Sequence, residues 1–368
     1  MSLYHSIKQL LTKRILNFRK RLVAFNLEMN FRKSIKEVIR QNNTPKLKPK
    51  QEQAAKSYFK SKGYKLKNTY WHCYYTSING EFHKNYIPDD IFNAIISPKF
   101  NEMRQWPALL DKNLSYNLFK DFKQPKRVLQ NINGFFYVDD KIVSEYVALE
   151  TCNIINKSLI IKPTIDSGDG NMVEIFSVKN HQTNFKNLKT SELFNLYKKD
   201  FIIQEFVEQS ASMKSLNPSA LNTVRVMTYL KEDGVHVLSS VLRIGQTGSH
   251  TDNFCGGGIV CGIDNNGFLK NKGYTRFGDV FTKTASNVVF EGFQIPNYSS
   301  VVQMVEAMHP MVPYFKFISW DIGINKDELP IFIEYNTYYQ STDLHQIANG
   351  PLFGEFTDEI LEFRLESN

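Results

Sequence analysis

"FKFISWDIGINKDELPIFIEYN", residues 315–336, decides how this chain is read. It reads as a hairpin: a strand Phe315–Ile324, a turn "NKDELP" and a strand Ile331–Asn336. Successive strand side chains point to opposite faces, so Glu334 and Asn336 share one face of an otherwise apolar strand. A polar group left unpaired there costs roughly 2–7 kcal/mol, so both need a partner. The turn folds Asp321 of the first strand back toward them. Two carboxylates and an amide oxygen form a hard-oxygen set of the kind Mg²⁺ takes together with substrate phosphates. The same residues also suit a hydrogen-bonded polar cluster capping a core strand, and spacing alone does not separate the two.

Working outward, "SLIIKPTIDSGDGNMVEIF" (158–176) places a loop with Gly168 and Gly170 between a strand at Leu159–Lys162 and another at Val173–Val178. Glycines let backbone N–H groups approach anionic oxygens. Lys162, at a strand end before Pro163, is costly if buried without a counter-charge, and a phosphate is a sensible partner. Neither GxxxxGK[ST] nor GxGxxG is present, so this is no Walker A or Rossmann loop; a hairpin with an exposed lysine fits the same letters. After a helical segment around Ser191–Lys199 comes "DFIIQEFVEQ" (200–209), a strand ending in acids. Its edge backbone can pair with adenine and Glu208 can hold ribose hydroxyls, or it is a plain connector with solvated Glu205 and Glu208. "NPSALNTVRVMTYL" (217–230) puts Asn222 and Arg225 at a strand head, and "VHVLSSVLRIG" (235–245) ends near Arg243. Two such arginines suit bidentate contact with phosphate or carboxylate, or they are surface charges. "DNFCGGGIVCGID" (252–264) is a Gly-rich loop that lets backbone come close to a ligand or another segment.

In order, these pieces resemble an ATP-grasp enzyme from "DKN" at 111–113 to "GPLFGEF" at 350–356, and most resemble the sugar-transfer-associated ATP-grasp family of bacterial surface-polysaccharide biosynthesis. The resemblance rests on "LLDKN", "IIKPTIDSGDGNMV", "FIIQEFVEQ", "LNPSALNTVRVMT", "VLRIGQTGSHTDNFCGGGI", "WDIGI" and "FIEYNTYYQSTDLHQ…GPL". It implies an α+β fold, two subdomains clamping ATP, preceded by a helical, basic N-terminal region. It further implies Lys112 and Lys162 as nucleotide lysines and Ser167, Gly168, Asp169 and Gly170 as the phosphate loop. Glu205 and Val207 fall where backbone meets adenine, and Glu208 where ribose is held. Asp321, Glu334 and Asn336 match the metal ligands, Glu334 bridging two Mg²⁺ ions. Arg225 and Arg243 resemble the arginines that steady the γ-phosphate and the reacting carboxylate. Two features depart from D-alanine ligases. Ser319 stands where they place an Arg two residues before the metal Asp, so the oxyanion role falls to Arg225 or Arg243 unless the acceptor is bound differently. Their N-T-x-P-G appears as "NTYYQ", without Pro and Gly, so the acceptor pocket is not that of a dipeptide ligase.

The implied organisation is a basic amphipathic arm and linker (1–50), an N-terminal α/β region (51–110), a small subdomain with the phosphate loop (111–205) and a large subdomain with the metal site (206–368). The implied reaction is ATP-dependent carboxylate–amine ligation through an acyl phosphate, joining an amino acid or similar amine to a sugar or uronic acid. The rivals are a kinase acting on a sugar-type acceptor and a non-catalytic nucleotide-binding assembly factor.

Composition bounds the rest. The chain has 368 residues, and its four cysteines form no CxxC pair, which fits a reducing cytoplasm. No apolar run reaches the roughly 18 residues of a spanning helix, and the first residues lack the apolar core of a secretory signal. Residues 1–50 carry 13 Lys and Arg against 2 Asp and Glu; of totals of 45 and 37, the other 318 residues carry 32 against 35. The basicity belongs to the arm. Within it Leu3, Ile7, Leu11, Ile15, Phe18, Leu22, Phe25 and Met29 recur at helical steps of three and four. The arm is either a helix packed on the body with a solvated basic face, or one that docks residues 1–40 on an anionic membrane at the inner face. Nucleic acid is not expected, since no aromatic or Gly-rich recognition motif accompanies the charge. "NYIPDDIF" (85–92) reads as a helix start with Asp89–Asp90 as the cap, and a second helix is expected over Gln51–Lys62.

Overall fold

β-branched and aromatic residues in short runs, broken by Gly, Asn and Asp turns, build the middle of the chain as strands. The computed structural model describes residues 2–165, 170–246, 248–249 and 251–363, with the backbone alone for 2–17 and 20. Its strands are β1 Arg127–Ile132, β2 Phe135–Val138, β3 Lys141–Val143, β4 Leu159–Pro163, β5 Glu174–Phe176, β6 Val178–Lys179, β7 Gln182–Thr183 and β8 Phe201–Glu205, then β9 Thr223–Lys231, β10 Gly234–Ile244, β11 Ile259–Ile263, β12 Leu269–Tyr274, β13 Val280–Phe281, β14 Phe317–Ile324 and β15 Pro330–Asn336. Two compact units divide the chain: Glu102–Thr337, which holds every one of these strands, and a helical unit made of the residues up to Asn101 and those from Tyr338 on.

Among the described residues, the sheet-bearing unit has two antiparallel sheets besides the small hairpin β6–β7. The first runs β3-β2-β1-β8-β4-β5. It buries Leu129, Leu159, Ile161, Phe201 and Ile203 with Ala148 and Cys152 of helix Glu145–Asn153 and Leu193 and Phe194 of helix Thr190–Tyr197. Lys162 follows Ile161 and so turns to the other face. The strand expected over Val173–Val178 splits here: β5 pairs with β4, and β6 turns away into its own hairpin.

The second sheet runs β13-β12-β11-β10-β9-β14-β15. Its back packs Val224, Val226, Leu242, Ile244, Trp320 and Ile322 with Val301, Val305 and Met308 of helix Tyr298–Met308. Its front is set by register: Thr223 lies opposite Arg243, Arg225 opposite Asp321, Asp321 opposite Glu334, and Ser319 opposite Asn336. Residues directly opposite share a face, so these polar groups are gathered on one surface. The hairpin read from residues 315–336 is therefore present. It contains one irregularity that simple alternation does not foresee. Asp321 pairs with Glu334 but Ile322 pairs with Phe332, leaving Ile333 as the extra residue of a bulge. Phe332 and Tyr335, three apart, thereby both reach the core while Glu334 faces the front.

In the helical unit, Leu27, Ile35 and Val38 of helix Ser2–Gln41 are buried, and a second helix spans Pro49–Ser61. The capping role expected for Asp89 and Asp90 is corrected. Pro88 occupies the cap position with no side-chain cap bond, and both acids are buried. Asp89 Oδ1 accepts from Tyr75 Oη at 3.1 Å and from Thr342 Oγ1, and Asp90 Oδ2 accepts from Arg32 Nε at 3.2 Å. A polar pair before an apolar run looks like a cap in sequence; here tertiary donors claimed it. Among the described residues no helix is long and apolar enough to cross a membrane.

Candidate nucleotide and metal site

"LLDKN" is explained by its local structure. Asp111 caps the helix Lys112–Leu118 by accepting from Asn113 N at 2.9 Å. Lys112 N donates to Thr164 O at 3.1 Å, and Asn113 Nδ2 to Thr164 Oγ1 at 3.3 Å, tying this turn to the end of β4. From there the Lys112 ammonium reaches Glu334 Oε2 at 3.4 Å. The β4 end and the front of the second sheet thus converge.

Lys162 is 7% exposed. Burial, with the Lys112 charge as the second cause and Glu334 acting the other way, pushes its ammonium down to about 8. Lys162 thus stands buried within electrostatic reach of Lys112 and Glu334. Of the phosphate loop, Ser167, Gly168 and Asp169 lie outside the described residues. Gly170 has φ +70°, and a Cβ added there would stand 2.8 Å from Thr251 Cγ2. The exit of the loop therefore closes on the segment leading to Asp252.

The front face carries a four-charge chain. Arg225 donates to Asp321 in a fork, Nε to Oδ1 at 2.7 Å and Nη2 to Oδ2 at 2.6 Å. Arg243 Nη1 donates to Asp321 Oδ2 at 3.0 Å, while its Nη2 reaches Asp252 Oδ1 at 2.8 Å. Thr223 Oγ1 donates to Asp252 Oδ2. Burial works to raise the Asp321 carboxyl, but Arg225 and Arg243 outweigh it and hold the group below the usual carboxylate range. At Asp252 burial wins over the Arg243 charge, and the carboxyl is raised. Asp252 and Thr223 were missed by sequence reading. A "TD" before a Gly-rich loop is too common a turn signal to single out, and only the sheet places it beside Arg243.

Glu334 stands beside Asp321 with its side chain 32% exposed, and Asn336 Nδ2 is buried with no hydrogen-bond partner among the described residues. The unpartnered atom is a donor nitrogen, and both Asp321 oxygens accept from arginines, so this geometry does not by itself separate a cation site from a hydrogen-bonded polar cluster. Among the described residues no three His, Cys, Asp or Glu side chains gather as a metal cage. The set is two carboxylates and an amide, the sparse kind that Mg²⁺ completes with phosphate oxygens and water.

The connector residues sit further along β8. Glu205 N donates to Lys126 O, and its carboxylate pairs with Lys157 at 2.7 Å and Lys126 at 2.9 Å. Those pairs, Lys157 first, hold its carboxyl below the usual range. Val207 follows beyond the strand, half-buried. Glu208 is exposed, with Lys326 at 3.6 Å.

A search of curated proteins finds no match. Among solved structures the chain is similar to the ATP-grasp ligase PsnB complexed with minimal precursor, Mg and ADP, at 13% identity and TM-score 0.42 over 71% of this chain and 61% of that one. It is similar to an L-amino acid ligase from Bacillus licheniformis at 12% and TM-score 0.40 over 71% and 50%, and to an N5-carboxyaminoimidazole ribonucleotide synthetase from Thermotoga maritima at 11% and TM-score 0.40 over 73% and 53%. This chain thus spans less than two thirds of the length of each. The profile described as sugar-transfer associated ATP-grasp matches residues 92–360, which include the capped Lys112, Lys162 and the whole front face. The chain belongs to the sugar-transfer associated ATP-grasp family.

Proposed function

We propose that this chain is an ATP-dependent carboxylate–amine ligase acting through an acyl phosphate, with ATP and Mg²⁺ as its cofactors. The observation that carries the reading is Lys112 on Glu334 and Arg225 and Arg243 on Asp321, the two carboxylates lying opposite each other, with Lys162 buried within electrostatic reach of Glu334. A carboxylate oxygen attacks the γ-phosphorus, ADP leaves, and an amine then attacks the acyl carbon, losing a proton as phosphate departs. Lys112, Lys162 and the loop 167–170 hold the phosphates. Arg225 and Arg243 offset the charge that develops on the transferred group. Glu205 and Val207 offer backbone to adenine, and Glu208 offers its carboxylate to ribose. Asp321, Glu334 and Asn336 hold Mg²⁺, which when bound offsets the triphosphate charge.

One substrate is a sugar, a uronic acid or an amino sugar, and the other an amino acid or similar small molecule, in cytoplasmic steps of surface-polysaccharide biosynthesis. The family description and the missing Pro and Gly of "NTYYQ" support this choice over a dipeptide. ADP release is measured with uronic acids and nucleotide sugars crossed against amino acids, with Glu334→Ala as the blank. Release that needs both a carboxylate and an amine, and vanishes in the variant, is expected. A stable phosphorylated sugar formed without amine makes the chain a kinase instead, and equal release by the variant removes the metal assignment.

A further inference from the structure

Among the described side chains of the helix Ser2–Gln41, one apolar row is buried and another is exposed. Leu27, Ile35 and Val38 are buried in the helical unit, with Phe31 half-buried beside them. Phe18, Leu22, Phe25 and Met29 are 63%, 45%, 53% and 45% exposed. Spaced by four, three and four residues, they fall on one line along the helix, and at 100° per residue that line is opposite Leu27. In sequence the same steps continue back through Ile15, Leu11, Ile7 and Leu3. A scattered exposed Leu is ordinary, but an aligned row with two phenylalanines marks an interface. Arg19 and Arg21 are exposed on its two flanks. Over its 40 residues the helix has 10 Lys and Arg against Glu28 and Glu37.

We infer that this row is a docking surface for an anionic lipid membrane. The helix lies in the interface plane, its phenylalanines and leucine enter the headgroup boundary, and Arg19 and Arg21 reach lipid phosphates from either side. Charge decides the occupant. A second copy of the helix brings the same excess of positive charge, and the row repeats about every 3.7 residues rather than the 3.5 a left-handed pair needs. A nucleic acid answers the charge but leaves the apolar row in water. The inference stands apart from the ligase reading, because it rests on the helical unit and not on the reactive face.

Sedimentation of the full chain with vesicles tests this, using phosphatidylcholine alone or phosphatidylcholine with about 30% phosphatidylglycerol. Binding at least tenfold tighter to the anionic vesicles is expected, with at least a tenfold loss in Phe18→Glu/Phe25→Glu and a comparable loss in Arg19→Glu/Arg21→Glu. All four residues are exposed, so unchanged circular dichroism confirms that the variants fold. Equal binding to both vesicle types overturns the inference. So does binding unaffected by either variant. A dimer in solution that only Phe18→Glu/Phe25→Glu abolishes, with no vesicle binding, assigns the row to a second copy instead.

Discussion

Lys162 is a cation that the fold holds buried at a cost. Its ammonium falls from 10.5 to about 8 on folding, chiefly through burial. Between these values the folded state binds fewer protons than the unfolded chain, so stability rises with pH across that window, and the penalty is fully present below about 8. At 1.36 kcal/mol per unit it amounts to roughly 3–4 kcal/mol. Lys162→Met is accordingly expected to stabilise the free protein by about 1–3 kcal/mol at pH 7 in urea titrations, with the gain shrinking toward pH 10. The same variant loses at least tenfold in ATP affinity. A destabilised variant with unchanged nucleotide binding would mean that the lysine is structural. The sequence showed this residue because Lys-Pro after an apolar run is a visible anomaly. It did not show Asp252, whose value comes only from standing beside Arg243.

At the scale of elements, the hairpin β14–β15 was legible because apolar runs, a turn and polar exceptions two apart are all local signals. The bulge at Ile333 was not, since its cause is the shared demand of Phe332 and Tyr335 for the core behind the sheet. The arginine clamp on Asp321 was likewise hidden, as its partners lie 96 and 78 residues away. The phase of the bulge matters for chemistry. Deleting Ile333 restores plain pairing and forces a choice: either Phe332 leaves the core, or Glu334 leaves the front. The expected result is a loss of about 3 kcal/mol or more in stability, together with loss of Mg²⁺-dependent nucleotide binding, while Ile333→Val costs about 1 kcal/mol or less and binds normally. A deletion variant with near-native stability and metal-dependent binding would show that register does not position the ligands.

Across the whole molecule the charges are segregated. The basic excess sits in the first 50 residues, while the rest has 32 basic against 35 acidic residues, with Lys112, Lys162, Arg225 and Arg243 among those at the candidate site. Its front face is assembled by a salt-bridge chain, Arg225–Asp321–Arg243–Asp252, which is costly to open at any single member, about 3–5 kcal/mol when one partner of a buried pair is removed. Asn336 stands outside this chain, so replacing it tests the proposed metal role apart from folding. A ligand that binds only the folded state at 100 times its Kd adds about 2.7 kcal/mol, worth about 5–10 °C for a domain of this size. Adding ADP with Mg²⁺ is expected to raise the Tm by about that much, and ADP with a chelator by clearly less. Asn336→Leu should melt within about 2 °C of the parent when free, because the amide it replaces lacks a partner for its nitrogen. In that variant the Mg²⁺-dependent part of the shift should disappear while the ADP-only part stays. A full Mg²⁺ increment in Asn336→Leu would remove Asn336 from the metal set and leave the two carboxylates to hold the ion alone.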